Sequence, residues 1–360
     1  MKLSAISSSA IQNAMRLTIT QSQNEMTSAS VEATTGVYAD MGLSLGGNIS
    51  QSIDLTRDMS RIDSIISSNS TATARMTASQ TAMTDMTTNA QSYLDQLVAL
   101  QGNQDGSSTA LTQTTATSAL SSFMADGNTM LNGQYIFAGT NTDVQPLTDQ
   151  STNVNAAIQT NLQAYATMNG TTVDSLTGAQ MTDFITNYVE PAFTGVTPSP
   201  TPATTGDFVT IPDWSSWSSA SDQNQSSRIN NSEVVDTSTN ANGSGMRYLA
   251  LSATVTNALL GQGISTDALN AVTTSAISYS REAIDGINAQ ASQLGLSQSR
   301  VTKADDSLNA QKDIMNTQIT DLQGVDPYAA STKVNSLETQ LETAYTIVSK
   351  IQQLSLVNYL

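Results

Sequence analysis

The 360-residue sequence contains no cysteine and no histidine. The first absence removes disulfide frameworks and thiol chemistry. The second removes serine triads and histidine general bases, and the two together remove Cys/His zinc sites. Charged residues are only 12% of the chain, about half the usual share of roughly 25%. Basic residues are scarcest: 13 Lys and Arg stand against 30 Asp and Glu, a formal charge of −17. A field of that sign repels nucleic acid and anionic lipid, so neither is expected as a partner. No apolar run approaches the roughly 18 residues of a membrane-spanning helix. The opening MKLSAISSSAIQNAMRL has no continuous apolar stretch of the kind a secretory signal needs, so none is expected here.

Two residue types fill the space. Serine and threonine together number 98, while hydrophobic residues make up 38%. That is enough apolar content for a core, under a surface covered mostly by hydroxyls and amides.

Proline placement divides the chain. Pro146, Pro191, Pro198, Pro200, Pro202 and Pro212 crowd one window and Pro327 stands alone. The flanks 1–145 and 213–326 are free of proline, as long uninterrupted helices require. From Ile62 a seam runs through Ile65, Asn69, Ala72, Met76, Ser79, Met83, Met86, Ala90, Tyr93, Leu97 and Leu100 in steps of three and four. In the second flank Ile287, Leu294, Val301, Leu308, Met315 and Leu322 recur every seven residues. Their companions are mixed: Ile284, Ala291 and Ile319 are apolar, while Gln298, Asp305 and Lys312 are not. One strong and one mixed seam position per heptad predicts a mainly α fold, an elongated antiparallel bundle of long helices.

A further stripe, Val334, Leu337, Leu341, Ala344, Val348 and Ile351, leads into the closing LSLVNYL. Its start signal is Asp326 as N-cap with Pro327 at the first helical position. Gly324 just before suits the C′ position of the preceding helix. The first 35 residues carry only an incomplete stripe, Ile6, Ile11, Met15, Ile19 and Met26. Both ends are therefore expected to be poorly ordered in the free monomer and to become helical only against partners. Residues 106–131 read as a helix, and Tyr135-Ile136-Phe137, between Asn132-Gly133 and Gly139-Thr140, predicts a short hairpin. The stretch 146–243, with its linker-like TPSPTPATTG, reads as a small inserted domain, β-rich or mixed. The expected organisation is 1–40 as an N-terminal assembly helix, 41–145 and 244–326 as two parts of a helical rod, 146–243 as the insert, and 327–360 as a C-terminal assembly helix.

The chemistry search is nearly empty. Phosphate-loop, nucleophile-elbow and Ser-x-x-Lys patterns are absent. Gly261-Gln262-Gly263 lacks the third glycine of a dinucleotide loop and follows a helical pattern, so a helix connection is favoured. Asp305 and Asp306 are helical neighbours that do not share a face, which favours a solvated pair over a catalytic one. Asp143 and Asp149 lack the register of a calcium loop. Met76, Met83 and Met86 sit on a seam as core filling rather than as soft-metal ligands. Trp214 and Trp217 read as buried anchors rather than a sugar-stacking patch. No catalytic, cofactor-binding or metal-ligating residue is nominated, and no enzyme is expected.

Three stretches carry a resemblance: Asn132–Leu147 (NGQYIFAGTNTDVQPL), Leu322–Tyr328 (LQGVDPY) and the C-terminal run through LSLVNYL. With the two helical arms, they resemble the flagellin family of axial proteins. The first stretch and the ending are similar to the family's hook–filament junction branch more than to its filament subunits. The link TTGVYADMGLSLGGNIS carries one acid, Asp40, where family members often carry a pair. The resemblance implies a secreted, extracellular structural subunit of the bacterial flagellum that joins hook to filament. It also implies export through the flagellar channel with a chaperone, and partners among hook-side junction protein, flagellin and further copies. It implies that the terminal helices pair on assembly and pack side by side around a tube, with Val334, Leu337, Leu341, Ala344, Val348, Ile351 and Leu354 burying apolar surface between subunits. Filament flagellin, and a secreted helical adhesin or effector, are the alternative readings.

Overall fold

The structure, a computed structural model, describes residues 8–197 and 207–357. Ile6, Pro198, Pro200, Pro202, most of the TPSPTPATTG stretch, the last three residues of LSLVNYL and the side chain of Leu354 lie outside the described residues. The fold is mainly α, with long helices and two small antiparallel strand pairs. In chain order come α1 (Ser8–Thr35), α2 (Met41–Leu45), α3 (Ile49–Gly102), α4 (Gly106–Gly127), β1 (Met130–Leu131), β2 (Gln134–Tyr135) and α5 (Ser151–Met168). Then follow α6 (Gly178–Phe184), α7 (Glu190–Thr194), α8 (Trp214–Trp217), β3 (Ser226–Arg228), β4 (Val234–Asp236), α9 (Ser244–Leu259), α10 (Thr266–Gln323) and α11 (Pro327–Val357). The chain divides into two compact units, a terminal one of 1–64 with 307–360 and a central one of 65–306.

The central unit holds the main core. Every seam position from Asn69 to Leu100 faces inward on α3, and Met76, Met83 and Met86 are fully enclosed. The centre of this core is α9, buried on almost all sides from Leu249 to Leu259 and packed by α4, α5 and α7. A helix apolar all round belongs in an interior. It lies close to α10 because Gly245 and Gly286 face each other. A Cβ on Gly286 would sit 2.6 Å from the Gly245 Cα, and one on Gly245 2.4 Å from the Ile287 nitrogen.

The two polar breaks in the α3 seam have specific partners. Asn69 Nδ2 donates to the Ile229 carbonyl at 3.0 Å and to Asp305 Oδ1. Asp305 is thus half-buried beside α3 while Asp306 is exposed, so the expected solvated pair is corrected for its first member. Ser79 donates to the Arg75 carbonyl within its own helix. Further along, the Tyr93 hydroxyl meets the Ser252 carbonyl at 3.0 Å and the Thr256 hydroxyl. Burial holds this phenol well above its usual range.

The hairpin forms one step earlier than the triplet suggested. Met130 pairs with Tyr135 and Leu131 with Gln134. Asn132 and Gly133 sit between at φ 52° and 79°, the left-handed pair that a type I′ turn demands. Ile136, Phe137 and Ala138 leave the strand and become buried. There the backbone is stitched to distant chain: Ser221 N donates to the Ala138 carbonyl, and Ala241 N to that of Phe137. Gly139 is needed twice over, with φ 62° and no room for a Cβ beside the Ser221 carbonyl.

The insert 146–243 is the mixed alternative, short helices and loops with the β3–β4 hairpin, and it lies within the central unit. A π-helical turn at Ile185–Val189 joins α6 to α7. Phe184, Phe193, Trp214 and Trp217 are buried. The Trp214 indole N–H finds Asn242 Oδ1 at 2.9 Å, while Trp217 Nε1 has no acceptor and serves as a packing body.

The terminal unit's helices are rich in threonine, whose hydroxyls turn back on their own backbone. Thr18, Thr20, Thr27, Thr34 and Thr35 on α1 donate to the carbonyl four residues earlier, at 2.7–3.0 Å. Thr332, Thr339, Thr343 and Thr346 do the same on α11. Such back-bonding slightly weakens a helix.

Candidate assembly surface

The segment after α10 starts a new helix by local chemistry. Asp326 Oδ1 accepts the Tyr328 N–H at 2.9 Å, and Pro327 opens α11 where a missing N–H costs nothing. Gly324 differs from the expectation. Its φ is not left-handed, and glycine is required instead because a Cβ would lie 2.4 Å from the Thr320 carbonyl oxygen. The left-handed glycine of this corner is Gly36 at φ 71°, which closes α1. The two corners are tied together: Val325 N donates to Gly36 O at 2.9 Å and Tyr38 N to Gln323 O at 3.1 Å. The single acid of the link, Asp40, caps α2 through the Leu43 N–H.

From this corner α1 and α11 run antiparallel and pack on each other, with Gln23 Nε2 donating to the Tyr345 hydroxyl at 2.8 Å. On α11 the inward residues are Ala330, Val334, Leu337, Leu341, Ala344, Val348 and Ile351. On α1 they are Gln12, Met15, Ile19, Ser22, Met26, Ala29 and Ala33. Both sets alternate steps of three and four, the seam of a coiled-coil pair. The six described seam candidates therefore share one face, and that face is covered from within the chain. The described parts of both ends, α1 and α11, are helical.

The seam is thin. Among its described residues only Ala29, Ala330, Leu337 and Leu341 are buried. Ordering costs about 1–2 kcal/mol per residue, and this side-chain set returns little at about 25 cal/mol per Å2.

The outer face of the pair holds what the sequence reading missed. Leu17 is 72% exposed, Tyr328 81% and Tyr345 50%, with Ile11, Val31 and Ile347 also exposed. Ile11 belonged to the expected N-terminal stripe and lies outside it; the others fall off the three-and-four spacing, so periodicity assigned them no place. Their only signal was being large and apolar where the helical pattern wanted polar residues. Charge at the base of the unit is paired: Lys312 meets Asp63 at 2.6 Å and Arg57 meets Asp54 at 3.1 Å. Among the described residues no cluster of three metal-ligating side chains forms, and no helix is long and apolar enough to cross a membrane.

Two family models match the chain. Residues 6–142 match the bacterial flagellin N-terminal helical region and residues 277–360 its C-terminal helical region, together more than half of the chain. No curated protein sequence matches. Among solved structures, one from Vibrio parahaemolyticus, described as a flagellar hook-associated protein, is similar at 10% identity and a TM-score of 0.49. The similarity covers 75% of this chain and 95% of that one.

Proposed function

We propose, for a chain that belongs to the flagellin family, a place in the bacterial flagellum at the joint between hook and filament. The family is structural and non-enzymatic, which agrees with a chain that nominates no catalytic group. The observation that carries the assembly reading is the α1–α11 pair, with a thin seam inside and large apolar side chains outside. Such a pair gains most when neighbours cover Leu17, Val31, Tyr328, Tyr345 and Ile347, so its stability is expected to rise with assembly. The junction role rests on the NGQYIFAGTNTDVQPL stretch and the LSLVNYL ending. In this reading the chain leaves the cell through the flagellar export channel, held by a chaperone. It then contacts a hook-side junction protein, flagellin and its own copies.

Electron microscopy of a strain lacking the chain tests the role. The expected result is complete hooks that release flagellin into the medium without holding a filament. Filaments that simply disappear, with the chain counted as the bulk subunit of wild-type filaments, would identify filament flagellin instead. Normal flagella in the deletion strain would remove the flagellar role and leave the adhesin or effector reading.

A further inference from the structure

A polar cavity of about 460 Å3 opens in the central unit between the 222–244 segment and α10. Its volume falls within the roughly 300–1,000 Å3 of small-molecule sites. No Lys or Arg lines it, and two carboxylates, Asp222 and Asp236, do. An anionic ligand is excluded on charge. The apolar lining amounts to Leu294, Ala289 and two glycines, too little to hold an apolar ligand.

The walls are pre-organised by a hydrogen-bonded frame. Trp214 Nε1 fixes Asn242, whose Nδ2 donates to Asp222 Oδ1 at 2.7 Å. Asn240 Nδ2 donates to Asn224 Oδ1 at 2.8 Å. Gln290 Nε2 donates to the Thr239 hydroxyl and to the Asn240 carbonyl at 2.8 Å. After this frame is satisfied, the groups left over are mostly acceptors. Gln290 Oε1 is buried with no partner, and the Asp236 carboxylate accepts no hydrogen bond from the described residues. A buried orphan acceptor calls for a guest that brings a donor. A metal ion would want six to eight converging oxygens, and no cluster of three acidic side chains forms here among the described residues. What remains is a neutral guest with several O–H donors, to which the free hydroxyls of Ser244 and Ser297 and the Gln293 amide can also bond.

We propose that this cavity binds a neutral polyhydroxyl ligand, one or two sugar rings. The tryptophans contribute only indirectly, since both rings are buried and Trp214 acts by fixing Asn242. This inference does not depend on the flagellar role. Saturation-transfer NMR on the full chain tests it, with glucose, galactose, mannose, N-acetylglucosamine and maltose each at about 10 mM, a level that detects weak millimolar binding. At least one sugar should receive saturation. The transfer should fall at least about fivefold in Asp236→Ala, which removes an exposed acceptor, and in Ala289→Trp, which fills the space from the exposed face of α10. Unchanged circular dichroism and melting would show that both variants fold. Silence from all five sugars, or transfer that survives Ala289→Trp, overturns the proposal. A calcium-dependent rise in melting temperature that Asp236→Ala abolishes, without any sugar signal, would overturn it in favour of a cation.

Discussion

The two compact units solve the stability problem in opposite ways. The central unit closes a core around α9 and encloses Tyr93, Phe123, Phe184, Phe193 and Trp217 within itself. The terminal unit pairs two helices through alanines, a few leucines and half-covered methionines, and leaves its largest apolar side chains outside. Burial of large side chains is where folding free energy comes from. One unit therefore closes its core alone, and the other leaves apolar surface that neighbours could cover. A fold can carry both because cooperativity need not be uniform along a chain.

The most drastic way to break the contrast is to charge the thin seam. Leu341→Asp and Val348→Asp should each abolish incorporation into flagella, read by electron microscopy and by fractionation of filaments. Amides of α1 and α11 should then lose exchange protection while 65–306 keeps its own. Incorporation at the parental level would show that the seam is not needed. Next in size is Trp217→Ala, which empties the largest enclosed side chain of the central unit. It should cost about 3–5 kcal/mol in denaturant unfolding, with α1 and α11 exchange unaltered. Gly245→Ala should cost about 1–3 kcal/mol, because the new methyl meets the α10 backbone; a neutral result would mean the helices can part without penalty. The smallest effect concerns Asp126. Burial, with Asp85 nearby, raises its carboxyl above the usual range, and its Oδ2 has no hydrogen-bond partner. A raised native pKa contributes stability below the ordinary value, lost as pH climbs through the raised one. Asp126→Asn should therefore melt slightly higher than the parent at pH 7, and the gap should close by about pH 4. A gap independent of pH would point to shape rather than charge.

How much of this is legible in the sequence depends on where each residue's partner lies. The α3 seam was readable because spacing alone defines an inward face. What Asn69 does there was not, since its partners are 160 and 236 residues away. The helix α1 looked weak because Gln12 and Ser22 interrupt its stripe and because the face it needs belongs to α11, at the far end of the chain. In the insert, Val154, Ile158, Leu162 and Tyr165 carry helical spacing in α5, but a division drawn from prolines passed over it. The seam candidates share one face of α11, against α1; periodicity identifies such a stripe without saying which surface buries it. The outer residues Leu17 and Tyr328 were invisible for the same reason.

The back-bonded threonines change what a neighbouring molecule meets on these helices. Each hydroxyl committed to its own carbonyl is one donor fewer offered outward, and the threonine methyl becomes the group that greets a passing surface. With few charged side chains on α1 and α11, an adjoining surface meets methyl groups at uneven intervals and, among the described residues, no ion pair on either helix to break.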